Sequence, residues 1–189
     1  INAAIQALPS TGGEIVILSG DYSFKSKIDV NKDNVTIRGN GASSFIHSDY
    51  TSTVFTGVIN IIGNKCHICN LRMSGSNPTY QTKYFIYITG RDSIIDNNKF
   101  SDFNNACIYI KSGTASASGS HKIKCNIFTD GNFGIYIGSS GGFYSEIVEN
   151  TFNNFDTGIH IDTNRGIRIL NNRCKNNTYG INISGSNYS

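Results

Sequence analysis

Apolar and polar positions alternate in short phrases that recur along the chain. Phe85-Ile86-Tyr87-Ile88, Cys107-Ile108-Tyr109-Ile110, Gly134-Ile135-Tyr136-Ile137, Gly158-Ile159-His160-Ile161 and Gly180-Ile181-Asn182-Ile183 share one pattern. The first Ile recurs at positions 86, 108, 135, 159 and 181, in steps of 22, 27, 24 and 22 residues. Period-two alternation predicts strands that send both Ile side chains to one face and the residue between them to the other. A second phrase, Ile-x-x-Asn-x-(Phe or Cys), recurs at Ile95/Asn98/Phe100, Ile123/Asn126/Phe128, Ile147/Asn150/Phe152 and Ile169/Asn172/Cys174, and polar turns follow it. A repeat this short cannot bury an Ile face alone, so the pattern predicts stacked coils with two short strands each. With coils about 4.8 Å apart, each Ile lies on the Ile of the next coil. Asn98, Asn126, Asn150 and Asn172 then form a row whose amides can satisfy the turn backbone and one another.

The opening segment runs from Ala3-Ala4-Ile5 through Gly12-Gly13 and Ile15-Val16-Ile17 to Gly20-Asp21-Tyr22, and Asn34-Val35-Thr36-Ile37-Arg38-Gly39-Asn40-Gly41 follows. With the repeats, these residues resemble the right-handed parallel β-helix of the pectate-lyase-like superfamily over nearly the whole chain. The resemblance implies an all-β, right-handed, single-stranded parallel β-helix solenoid with a short N-terminal capping helix. Residues 1–14 are expected to form the capping helix and entry turn, and 15–189 the stacked coils of a single domain. That superfamily spans polysaccharide lyases, glycoside hydrolases, uronate epimerases, phage tailspikes and inert shafts, so the fold does not choose among them. The resemblance implies a polysaccharide or other glycan as partner, admits calcium as a cofactor, and suggests an extracellular or virion-surface location. The chain lacks the Asn-Thr-Asp, Asp-Asp, Gly-His-Gly and Arg-Ile-Lys series of polygalacturonases and the Asp-Pro-His motif of epimerases. Arg168-Ile169-Leu170 departs from the Arg-Ile-Lys element.

Composition narrows the partners. The 189 residues are 38% hydrophobic with 20 Gly and 2 Pro, which suits one narrow core. The net charge is +3 and the 16 basic residues are scattered, so no nucleic-acid surface is indicated. No run approaches the roughly 18 apolar residues of a membrane span. The sequence starts inside the expected helix and stops directly after the last Ile-x-Ile strand. It therefore reads as a fragment of a longer chain, or one whose C-terminal end is capped by a neighbouring domain or another subunit, as in a homotrimer. The five cysteines are an odd number and read as reduced, buried thiols, with Cys174 in the slot of Phe100, Phe128 and Phe152. Cys66-His67-Ile68-Cys69 has the outline of a metal motif, but residues three apart on a strand point to opposite faces, so no metal ligands are assigned.

Candidate chemistry belongs to the outward positions. One row reads Tyr87, Tyr109, Tyr136, His160 and Asn182, with Asn60 before it, and a parallel row reads Thr89, Lys111, Gly138, Asp162 and Ser184. As a saccharide face, the Tyr rings would offer flat apolar surfaces to sugar C–H groups. Tyr87, Tyr109, Lys111 and Arg165 would bind substrate, and His160, Asp162 and Tyr136 would be catalytic. Removing the proton α to a uronate carboxylate needs a base, a proton donor and a cation, here His160 or Tyr136 with Lys111 or Arg165. Gly134 and Gly138 would leave a notch beside Tyr136. The competing reading is a non-catalytic shaft or spike, because outward Tyr residues also stabilise a sheet by packing. Asp102 and Asp130 are the best hydrolase pair, although Asp and Asn also suit tight turns. Lys122, Glu146 and Arg168 form a row of alternating charge that favours coil register. Segments 113–120 and 139–144 read as loops able to wall a groove.

Overall fold

The computed structural model of the protein describes residues 1–48, 57–75, 84–111, 119–139, 143–162 and 166–184. Helix α1 (Asn2–Ala7) sends Ile5 into the core. Lys32 Nζ donates to the carbonyls of Gln6, at 2.7 Å, and Leu8, placing positive charge at the carbonyl end of the helix. At Gly12 the backbone adopts φ 96°, and a Cβ there would lie 2.4 Å from the carbonyl oxygens of Asp33 and Asn34. Only glycine fits this entry turn.

From there the described chain is strand and turn. The first strands are β1 (Gly13–Val16), β2 (Gly20–Phe24), β3 (Ile28–Val30), β4 (Val35–Ser48), β5 (Gly57–Ile61), β6 (His67–Ser74), β7 (Tyr84–Ile88) and β8 (Ile94–Asp96). They are followed by β9 (Lys99–Ile110), β10 (Lys122–Lys124), β11 (Ile127–Ile137), β12 (Glu146–Val148), β13 (Thr151–Ile161), β14 (Arg168–Leu170), β15 (Arg173–Lys175) and β16 (Tyr179–Ile183). Each pairs in parallel with its counterpart in a neighbouring coil, which makes the protein a parallel β-helix.

Stacked columns of side chains, these three among them, fill the interior. Ile59, Ile86, Ile108, Ile135, Ile159 and Ile181 share one register, as the repeat spacing requires. Ile37, Ile68, Ile95, Ile123, Ile147 and Ile169 form the second. Ile46, Met73, Phe100, Phe128, Phe152 and Cys174 form the third, where the Phe rings stack at 4.8 Å with planes within 7° and 5° of parallel. Between the second and third columns, Asn98, Asn126 and Asn150 each donate Nδ2 to the Oδ1 of the next Asn, at 3.0–3.1 Å, ending on Asn172. Each Oδ1 also accepts a backbone N–H from the coil before it.

Strands β9, β11 and β13 turn a corner without breaking. The corner residues Asp102, Asp130 and Asn154 have φ 63°, 59° and 64°, and Asn176 repeats the geometry at 55°. Asp and Asn tolerate this left-handed conformation better than other non-glycine residues, which accounts for their recurrence. Outside the second column, Glu146 pairs with Arg168 at 2.6 Å and with Lys122 at 3.9 Å. Cys66, Cys69 and Cys107 are buried, whereas Cys125 and Cys174 are exposed, correcting the expectation that all five thiols are interior. Cys125 lies at φ 56° in the turn before Asn126, and Cys174 belongs to the last described coil, where no further described coil covers it.

Candidate functional site

The alternation that sends Ile135, Ile137, Ile159 and Ile161 inward leaves Tyr136 and His160 outward, side by side in register. Asp162 follows β13 directly, its backbone N–H bonded to Ile137 O at 2.9 Å. Its carboxylate gathers three neighbours. The Tyr136 hydroxyl donates to Oδ2 at 2.8 Å, His160 Nε2 lies 3.0 Å from Oδ1, and the Ser184 hydroxyl donates to Oδ1 at 3.4 Å. His160 Nδ1 is buried and has no hydrogen-bond partner among the described residues. A proton there would be an unmet buried donor, so the neutral ring carries its proton on Nε2 and donates it to Asp162. Phe133 packs edge-on to both rings, 5.3 Å from Tyr136 and 5.4 Å from His160.

Burial pushes the Tyr136 phenol well above its ordinary range, and the hydrogen bond and charge of Asp162 add to the shift. Tyr136 is therefore a neutral donor near pH 7 and not a base, which narrows the role expected from the sequence. Tyr109 is pushed up to about 12, mainly by burial and further by Tyr84, Tyr87 and Asp162.

The outward aromatic row is continuous: Tyr87 stacks on Tyr109 at 5.5 Å, Tyr109 on Tyr136 at 5.1 Å, and Tyr136 on His160 at 4.7 Å. Tyr84 adds a further ring, 4.3 Å from Tyr109. The flat faces meet each other, so the row offers solvent its ring edges and hydroxyls. This replaces the expectation of flat faces open to sugar. Among the described residues, neighbouring side chains occupy the space that the two glycines were expected to leave as a notch. A Cβ at Gly138 would lie 2.6 Å from the Tyr109 hydroxyl, and one at Gly134 2.5 Å from the Phe152 ring. At the start of the row Asn60 is buried and donates to Asp29 Oδ1 at 2.8 Å, and at its far end Asn182 is half-buried. Lys111 is exposed and belongs to the same position as Asp162 two coils away, about 10 Å along the stack. Arg165 lies outside the described residues, as do most of the 113–120 loop and the middle of the 139–144 loop.

A trough of about 560 Å³ runs along the corner, lined among others by Asp102, Asp130, Asn154, Asp156 and Asn176. Asn154 donates to Asp130 Oδ1 at 2.6 Å and the Ser74 hydroxyl to Asp102 Oδ2 at 3.4 Å. The positive φ of each corner residue supplies a backbone reason for these side chains. Calcium takes about six to eight oxygen ligands. Among the described residues the trough carboxylates do not gather into a set of three, so they do not fit that ion, and no step is assigned to it.

Sequence reasoning missed Phe133 and Tyr84, which fix the rings, and a second cluster of His67, Cys69 and Asp96. The signal for that cluster was present: aligning Ile68 with Ile95 places Cys69 beside Asp96.

Solved structures share the fold at low identity. The A-module of the Azotobacter vinelandii mannuronan C-5 epimerase AlgE6 superposes with a TM-score of 0.69 at 14% identity, over 95% of this chain and 52% of that one. The catalytic unit of a GH87 α-1,3-glucanase from Streptomyces thermodiastaticus gives 0.64 at 17%, over 95% and 38%. ORF18 of Geobacillus virus E2 gives 0.57 at 16%, over 92% and 44%. The chain thus spans about half or less of these proteins, and identities this low establish shared architecture alone. No curated protein matches the chain significantly. A family profile does match, over residues 84–189, the stretch that carries the repeated Ile-x-Ile strands and the Asn row. The chain belongs to the family described as the right handed beta helix region.

Proposed function

We propose that the protein binds a polysaccharide along its outward Tyr/His/Asp face, with Asp162 and His160 as the groups that handle protons there. The observation that carries this reading is the Asp162 carboxylate, 29% exposed and held by donors from Tyr136 and His160. A carboxylate fixed in this way can accept a sugar hydroxyl without first being ordered. The row of ring edges and hydroxyls leads toward it, and exposed Lys111 supplies a cation for an acidic sugar. Two architectural neighbours are named for acting on mannuronan and α-1,3-glucan, which supports an extended glycan as partner. Binding is the core of the proposal, and product formation decides whether the face also cleaves or epimerises.

The stacked ring faces favour a second reading. In a shaft, the same side chains would clip β11, β13 and β16 together and no glycan would bind. One experiment separates the two: incubate the chain with uronate-containing and neutral polysaccharides, then measure retention, unsaturated product and reducing ends. Glycan binding that falls at least tenfold in Asp162→Asn, with an unchanged thermal midpoint, supports the proposal. Absence of binding across the panel, or binding indifferent to Asp162→Asn, assigns the face to packing.

A further inference from the structure

On the second face of the solenoid, His67 and Cys69 point outward from β6 while Ile68 enters the core. Register sets Asp96 of β8 beside Cys69, and His67 Nε2 lies 2.8 Å from Asp96 Oδ1. The His nitrogen, the Cys sulfur and the Asp oxygen all fall within 4.8 Å of one another. Cys69 is 5% exposed and Asp96 8%, whereas the His67 side chain is 33% exposed, so the set is covered on its inner side and reachable from outside.

We propose that His67, Cys69 and Asp96 form a zinc site that ties β6 to β8, with water as the fourth ligand. The donor set selects the ion. Magnesium and calcium prefer all-oxygen shells and copper(I) prefers several soft sulfurs, whereas zinc takes one nitrogen, one sulfur and one oxygen in a tetrahedron. In such a tetrahedron the ligand atoms stand about 3.5 Å apart, a closure that small side-chain rotations achieve from the present spacing. On binding, Cys69 releases its thiol proton to solvent and His67 moves its ring proton to Nδ1, freeing Nε2. The thiolate and carboxylate then balance the two charges of the ion.

The surroundings allow it. Lys124 Nζ lies 3.7 Å from Asp96 Oδ2, acting as a weak resident cation, and is exposed enough to swing away. Arg38, in register beside Cys69, is already held by Glu14 at 2.6 Å. Cys66 faces the core and takes no part, so the ligands come from alternate residues of one strand and from the next coil.

The test uses the full 189-residue chain, stripped with a chelator and titrated with Co²⁺ and then Zn²⁺. The expected result is one ion per chain, with the visible bands of tetrahedral cobalt and a thiolate-to-metal charge-transfer band that zinc abolishes. Cys69→Ser should lose the charge-transfer band, while Cys174→Ser, which removes an exposed thiol in the last described coil, should keep it. Asp96→Asn should weaken zinc binding by about tenfold or more, and Lys124→Met should tighten it. Zinc should raise the thermal midpoint, and Mg²⁺ and Ca²⁺ should not. No charge-transfer band in the parent chain, a band that survives Cys69→Ser, or unchanged affinity in Asp96→Asn would each overturn the assignment. If Cys69→Ser does not fold by circular dichroism, Asp96→Asn decides the matter alone.

Discussion

His121 shows how one buried ring can make the stability of the whole coil depend on pH. Its Nδ1 accepts the Ser93 backbone N–H at 3.3 Å, and its own backbone N–H donates to the Ser145 hydroxyl at 3.0 Å. Burial holds its pKa down at about 4, against 6.5 in the open chain, with Asp92 opposing the shift. Between those values the unfolded chain takes up a proton that the folded chain refuses. Stability from this group is therefore complete above about pH 6.5, falls as pH drops toward 4, and levels off below. The shift corresponds to about 3 kcal/mol at its limit. Substituting His121→Asn keeps an acceptor oxygen near the Nδ1 position and removes the titration. In urea unfolding at pH 7 and pH 4.5, the parent chain should lose about 2 to 3 kcal/mol more than the variant. Equal losses would mean that the ring titrates normally in the fold.

At the scale of the element, the Asn row does most to fix the turn between strands. Asn150 accepts from the backbone N–H and side-chain amide of Asn126, and it donates to Ile123 O at 2.8 Å and Asn172 Oδ1 at 3.0 Å. Replacing it by Ala strands several buried groups, each worth about 1–3 kcal/mol when unpaired. Asn150→Ala should therefore cost about 4 kcal/mol in chemical denaturation, and Asn172→Ala, half-buried at the edge, clearly less. A similar loss at both positions would show that the row is not cooperative. The strand columns were legible in the sequence because period two and a near-constant Ile spacing fix register without any knowledge of rotamers. The attitude of the rings was not. Side chains repeating every 4.8 Å or so leave room for a ring only with its face against its neighbour, so Tyr109 and Tyr136 turn their edges to solvent. Asp102 and Asp130, by contrast, were legible both as a carboxylate pair and as tight-turn residues, and their left-handed backbone favours turn geometry as the reason for their residue type.

For the molecule as a whole, stacking makes stability nearly one-dimensional: each coil rests on its two neighbours and on little else. Ile135 and Ile159 have a coil on either side and are fully buried, whereas Ile181 and Ile183 of β16 have a described coil on one side only and remain 47% and 48% exposed. The same truncation should therefore have different consequences along one column. Ile135→Ala removes hydrocarbon from a closed interior and leaves a cavity, at about 4 kcal/mol. Ile181→Ala removes a side chain already half in water, at about 1 kcal/mol. Amide exchange should follow the same gradient, slowest in β11 and β13 and fastest in β15 and β16, because the last coil can open without disturbing those beneath it. Urea unfolding of the two variants and residue-resolved exchange of the parent chain test this together. Equal costs at positions 135 and 181, or uniform protection from β11 to β16, would mean that the coils unfold as a single unit and that neighbour contacts do not set local stability.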